Sequence, residues 1–342
     1  MKKYSAIIFA LSFIVLLSSC NSKNNRNSQQ GMLYTSGGRT SEVLVVMADQ
    51  NWEKSAGDTI RNSLGEVPPW MAQNEPEYRV AQIAKHQFGA VFQKFRNILI
   101  VEFKPSLSKP KVSVKHNVWA RPQTIIKIQS PNLASFLKTY TEVYPQIKAY
   151  FHKNELARIK DAYKKMKVRK ISNKLVEKFS FDMVFPKGYI IATDGADFLW
   201  LRRPTTEVEE GILIYTFPYT DTSVFNMHKI IQARNLITKK FIPGPVDGSY
   251  MKVSSIFPAV ANTMEFKGNY ATELRSLWDV HGYAMGGPFM SYTFVDTIAH
   301  RVVVLDGYIK APRKKKRDLM LHIEAVFDTF KFVNKAEKKL EN

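Results

Sequence analysis

Apolar positions along the chain fall into two textures. In the first half, short β-branched runs alternate with stretches whose apolar residues recur at helical spacing. The runs "EVLVVM" at 42–47 and "NILIVEF" at 97–103 predict buried strands, and 78–83, 111–119 and 124–128 predict three more. Residues 53–64 predict a helix that Gly65 ends, and 86–95 predict a short one with Phe88, Val91, Phe92 and Phe95 on one face. The clearest helix signal follows Ser130 and Pro131, a polar N-cap and a residue whose missing N–H costs nothing in a first turn. Leu133, Phe136, Leu137, Tyr140, Val143, Tyr144 and Ile147 line its apolar face. Helical character continues, with growing positive charge, to about Phe179, and Pro145 is placed to kink it.

Strands dominate the second half. "FSFDMVFPKGYIIATDGADFLWLRR" predicts three strands separated by a Pro-Lys-Gly turn and an Asp-Gly turn, and "GILIYTFPY" predicts a fourth. A helix over 224–241, with Ile230, Ile231, Leu236 and Ile237 as its buried positions, is broken by "PGPVDGS". Residues 287–295 and 301–309 predict two long strands. A closing helix from about 314 carries Leu319, Ile323, Val326, Phe327 and Phe330 on one stripe. Strands in groups between widely spaced helices predict an α+β fold: two linked α/β halves with mostly antiparallel sheets packed against helices, not a regular parallel βαβ array.

The first twenty residues have a different logic. Lys2 and Lys3 precede an apolar run over 4–17, shorter than the ~20 residues a spanning helix needs, so the segment reads as a secretory leader. "LSSC" at 17–20 closes it as a lipobox. Cys20, the single cysteine of 342 residues, is then the lipidation site, and several acyl chains anchor a protein stably. No thiol is left over for a disulfide, a metal or a nucleophile. The chain therefore divides into a leader (1–19), a flexible Asn/Ser/Gln/Gly-rich tether (20–40), a first half ending in the long basic helix (41–178), a second half (179–334) and a charged tail (335–342). Asn21 follows the cysteine where an Asp would favour the inner membrane, and the tether has no acidic run. Both point to the outer membrane with the body facing the periplasm.

The apolar fraction of 45% supports a sizeable core, and the formal charge of +20 falls to about +18 once Lys2 and Lys3 leave with the leader. Behind a lipobox, that balance suggests lipid head groups, cell-wall polymers or acidic proteins as neighbours, and not nucleic acid. Lys153–Lys178 and 313–317 hold the densest cations and read as a solvated helix face and a solvated loop. HExxH, GxSxG, P-loop and GxGxxG motifs are absent, so no catalytic residue, metal site or cofactor is expected. Gly286-Gly287-Pro288 is the best binding candidate. Two glycines permit a turn whose free amides would hold an anionic group, with Arg275, Trp278 and Phe289 lining it; the plainer alternative is a tight turn packed under Trp278. Glu75 and Glu77 flank Pro76 as a weak carboxylate pair.

"SEVLVVM", "NEPEYRV", "FRNILIV", "ELRSLWDVHGYAMGGPFMSYT" and "LDGYIKAPRKKKRDLMLHIEAVFDTFK", in that order, resemble the bacterial lipoproteins grouped as domain of unknown function 4837, over about 41–331. The resemblance implies an envelope lipoprotein and supplies no catalytic residues. The strand group opening "FDMVFPKGY", the late strand "VVVLDGYI" and the closing helix are also similar in pattern to the Mog1/PsbP-like sandwich, which implies a noncatalytic binding module. The expectation is thus a lipid-anchored module that binds or assembles a partner protein or an anionic envelope component. One alternative is a hydrolase of cell-wall or polysaccharide material, marked by two carboxylates facing across a cleft. Another is a structural subunit of an outer-membrane machine.

Overall fold

Residues 33–71 and 73–333 are described by the computed structural model, and Thr35 opens the compact unit that carries the architecture. The leader, Cys20, most of the expected tether and the tail lie outside the described residues. The last residues assigned to the tether do not hang free: Ser36 N donates to Arg121 O at 3.1 Å and Gly37 N to Lys94 O at 2.8 Å.

The first half is a five-stranded sheet of β1 (Glu42–Val46), β2 (Arg79–Ile83), β3 (Asn97–Phe103), β4 (Lys111–His116) and β5 (Thr124–Ser130), in the order β2-β1-β3-β5-β4. All its pairings are parallel except β4 against β5. Strands this apolar need cover on both faces. Val43, Val45, Leu99 and Ile126 meet α1 (Ser55–Leu64) and α2 (Leu133–Lys164) on one face. Leu44, Val46, Ile98 and Ile125 meet Phe88, Phe92 and Trp119 on the other.

The second half is an eight-stranded antiparallel sheet. Its strands are β6 (Ile190–Gly195), β7 (Phe198–Pro204), β8 (Glu209–Pro218), β9 (Tyr250–Val253), β10 (Val260–Phe266), β11 (Asn269–His281), β12 (Tyr283–Asp296) and β13 (Arg301–Lys310). The order is β9-β11-β12-β13-β8-β7-β6, with β10 also on β11. One face packs on α3 (Arg169–Phe179), α5 (Arg317–Phe327) and the end of α2; the other packs on α4 (Met227–Phe241).

The α+β class therefore holds. Antiparallel pairing belongs to the second sheet and to β4, while the first sheet is mainly parallel. The long helix also differs from expectation. Ser130 is the last residue of β5, and the cap is Asn132, whose side chain accepts from Ser135 N at 2.9 Å. The helix passes through Pro145 and stops at Lys164; Val168 N then donates to Phe185 O at 2.9 Å, and α3 starts afresh. The expected continuous helical stretch to Phe179 is thus two helices with a break at 165–168. The expected helix over 86–95 is reduced to two single turns, Lys85–Gln87 and Ala90–Gln93.

At 1.5 Å per residue the 32 residues of α2 span about 48 Å, enough to serve two cores. Phe136, Tyr140, Ile147 and Phe151 belong to the first core, and Leu156, Ile159 and Tyr163 to the second. That shared helix makes a seam between the two sheets.

Candidate functional site

The seam encloses a cavity of about 450 Å³, within the range of small-ligand pockets. Each wall comes from a different element because each element's periodicity aims its polar residues the same way. Lys148 and His152 are one turn apart on α2. Glu273 and Arg275 are two apart on β11 and so share a face, with Tyr292 of β12 beside them. Met320, Leu321 and Glu324 face in from α5, and Trp70 from the loop after α1.

Glu324 is the centre of the charge network. His152 Nε2 lies 2.6 Å from its Oε1, and Arg275 Nη2 donates to its Oε2 at 3.0 Å. The same Arg275 nitrogen is 2.8 Å from Glu273 Oε1, and the guanidinium carbon sits 5.0 Å from the Trp70 ring centroid, a cation–π contact. Burial works against an ionised Glu324, but His152 and Arg275 outweigh it and hold the carboxyl well below the usual range. Burial likewise works against a charged His152, and Glu324 outweighs it, so the imidazole is held above its ordinary value. Further out, Lys148 Nζ donates to Glu77 Oε2 at 2.7 Å, and Tyr78 donates to the Lys148 carbonyl at 3.0 Å. Glu155 is fixed by Arg96, at 2.9 Å, and by Asn97.

Glu75 and Glu77 do not form a carboxylate pair. Glu75 is buried and accepts from Lys316 N at 2.8 Å and from Arg317 N at 3.0 Å, which caps α5 from the other half of the chain. Glu77 belongs to Lys148. The 313–317 cluster is correspondingly not all solvated, for Arg317 donates to Pro76 O at 2.7 Å.

Of the residues chosen from sequence, the seam contains Arg275 and, paired with Lys148, Glu77. Trp278 and Phe289 project from the opposite face of the sheet, under α4. Gly286-Gly287-Pro288 is not a turn: it lies within β12, where Gly286 pairs with Asp279, Gly287 with Trp278 and Pro288 with Leu277. The turn comes earlier, at Gly282, with φ +79°. Gly286 is exposed, and Gly287, Pro288 and Phe289 are buried within the strand. What the glycines permit is a close approach. A Cβ on Gly287 would stand 2.1 Å from Ile309 O, the carbonyl to which Trp278 Nε1 donates at 3.2 Å.

Trp70, His152, Glu273 and Glu324 were not singled out by the sequence. Glu324 had a signal: it is a lone acid on the apolar stripe of Met320, Ile323 and Phe327, where a charge needs a partner. His152 offered no such mark. Among the described residues no group of His, Cys, Asp or Glu is arranged to hold a metal ion, and no helix is long and apolar enough to cross a membrane.

Fold and pocket together define a two-part α+β protein with a ligand-sized seat at the seam. Residues 168–329 match the family model "Domain of unknown function (DUF4837)", and residues 36–164 match a separate one, "Domain of unknown function (DUF8532)". The resemblance to domain of unknown function 4837 therefore stands over the second half, and the first half matches the other model. A search of curated proteins returns no match. Among solved structures, the Ran-binding protein Mog1p of Saccharomyces cerevisiae matches with 11% identity over 46% of this chain and 92% of that one, at a TM-score of 0.30. LpqN of Mycobacterium tuberculosis, described as involved in cell envelope biogenesis, matches with 10% identity over 45% of this chain and 83% of its own, at 0.28.

Proposed function

We propose that the protein is a lipid-anchored, noncatalytic module of the bacterial outer membrane, facing the periplasm, which seats part of a partner in the seam pocket. The anchoring rests on the leader and on Cys20. The binding reading rests on one observation: the carboxylates that line the pocket already have intramolecular partners. A general acid needs a proton to give near neutral pH, and Glu324 is held ionised far below it. Glu273 and Glu324 are bridged by one arginine nitrogen, which leaves no gap between them for a sugar. A hydrolase built on facing carboxylates is therefore the weaker reading.

With its own charges balanced, the pocket suits a neutral polar or aromatic group laid against Trp70. An acidic partner would meet the exposed cations of α2 and α3 instead. Lys153, Lys165, Arg169 and Lys170 are exposed, and no described carboxylate pairs with them. Asn262 is exposed at the pocket edge and is the place for a photo-crosslinking residue. Irradiation of intact cells should give a discrete adduct that Trp70→Ala abolishes while the protein stays folded. No adduct, or one indifferent to Trp70, overturns the proposal.

A further inference from the structure

On the sheet face opposite the seam, α4 and the short 3-10 helix Thr222–Phe225 leave a second cavity of about 420 Å³. Its deeper walls are mainly apolar: Phe217 from β8, Val304 from β13, Ile230 and Ala233 from α4, and the ring of Tyr215 from β8, which brings a phenol hydroxyl with it. Its floor is Thr293 of β12. Tyr215 pairs with Val304 and Val304 with Thr293, so the three stand in one row on one face.

Thr293 is 1% exposed, and its hydroxyl has no hydrogen-bond partner among the described residues. Directly across the ladder, Thr272 donates to Phe225 O at 3.2 Å, but no carbonyl reaches Thr293. A buried hydroxyl without a partner costs about 1–3 kcal/mol, so an oxygen delivered to it by a ligand is favoured. Lys229, Asp221 and Gln232 are exposed at the rim, and Leu236, 72% exposed, forms an apolar lip. A mainly apolar chamber with few deep polar groups, the Thr293 hydroxyl and the Tyr215 phenol, and a polar mouth is the usual form of a small-molecule site.

We infer that this cavity binds a small uncharged amphipathic molecule, with an apolar body of one or two rings and a single hydroxyl or carbonyl oxygen that meets Thr293 Oγ1. The site is independent of the seam. The test uses 2-naphthol and naphthalene as probes, with the probe's fluorescence followed during titration with the folded protein. Saturable binding of one 2-naphthol is expected, with naphthalene weaker. Thr293→Val should weaken 2-naphthol about fivefold, the worth of one hydrogen bond, and leave naphthalene unchanged. Leu236→Trp, at an exposed position where folding is not at stake, should block both probes. Absence of saturable 2-naphthol binding, or binding that neither variant alters, overturns the inference.

Discussion

The seam pocket and the pocket under α4 differ in where their polar atoms find partners. In the seam, charges arrive from both halves and meet: Glu324 of α5 with His152 of α2, Glu77 with Lys148, Glu75 with the start of α5. In the pocket under α4 the Thr293 hydroxyl comes from within a sheet and has no partner, while α4 itself holds its buried Arg234 against Asp306 of β13 at 2.7 Å. Pairing across a boundary joins two bodies and leaves little for a ligand to neutralise. A lone hydroxyl inside one body joins nothing and stays available. The two pockets should therefore respond to mutation with different sizes and with opposite signs.

Glu324→Gln is expected to have the largest effect. It removes the anion between His152 and Arg275, and stripping one partner from a buried pair costs about 3–5 kcal/mol. Denaturant unfolding measures it. The pH dependence follows from the two shifts. The raised His152 contributes stability that is complete below the ordinary histidine value of about 6.5 and is lost as pH climbs through the folded value. The depressed Glu324 contributes stability above the ordinary carboxylate range that is lost as pH falls through its folded value. Wild type should thus weaken above about pH 6.5, and the variant should lack that alkaline limb. An unchanged profile would mean that the seam charges do not hold the halves together.

A middle-sized effect is expected from Glu75→Ala. Two backbone N–H groups of α5 lose their acceptor, and the helix start loses a favourable negative charge, for about 1–2 kcal/mol. The helix that loses its cap also carries Glu324, so the His152–Glu324 contact should loosen with it. Histidine chemical shifts for His152 would report that, and a resonance that stays put would separate the cap from the seam.

The same contrast explains what the sequence made legible. Strand runs such as "EVLVVM" and the stripe of α5 announced themselves because periodicity is local. The close approach at Gly286-Gly287 was visible as a pair of glycines, but not its setting. The carbonyl that excludes a side chain at Gly287 belongs to Ile309, on another strand, so a turn was the nearest local explanation. Parallel pairing of β1, β2 and β3 was hidden for the same reason: their connections are short turns and loops as well as helices, and only the partner strand fixes direction. Of the seam, Arg275 was legible and its partners were not, because His152 and Glu324 lie 172 residues apart.

The smallest expected change carries the sharpest test, because its sign is reversed. Thr293→Val exchanges a hydroxyl without a partner for a methyl of similar size. The desolvation cost of that hydroxyl disappears from the folded state, so the variant should be more stable by about 1 kcal/mol. Thr272→Val, at the facing position of the ladder, makes the same chemical exchange but removes a hydrogen bond to Phe225 O, and should be less stable by about 1 kcal/mol. The two residues are both threonines, both at least nine-tenths buried and on one face of one strand pair, so burial and propensity cancel between them. What remains is whether the hydroxyl has a partner. Thermal melts of the two variants that shift in opposite directions would fix Thr293 as an open donor at the floor of its pocket. Melts that both fall would mean that Thr293 is already satisfied in solution, and the pocket under α4 would lose the polar atom that distinguishes it from packing.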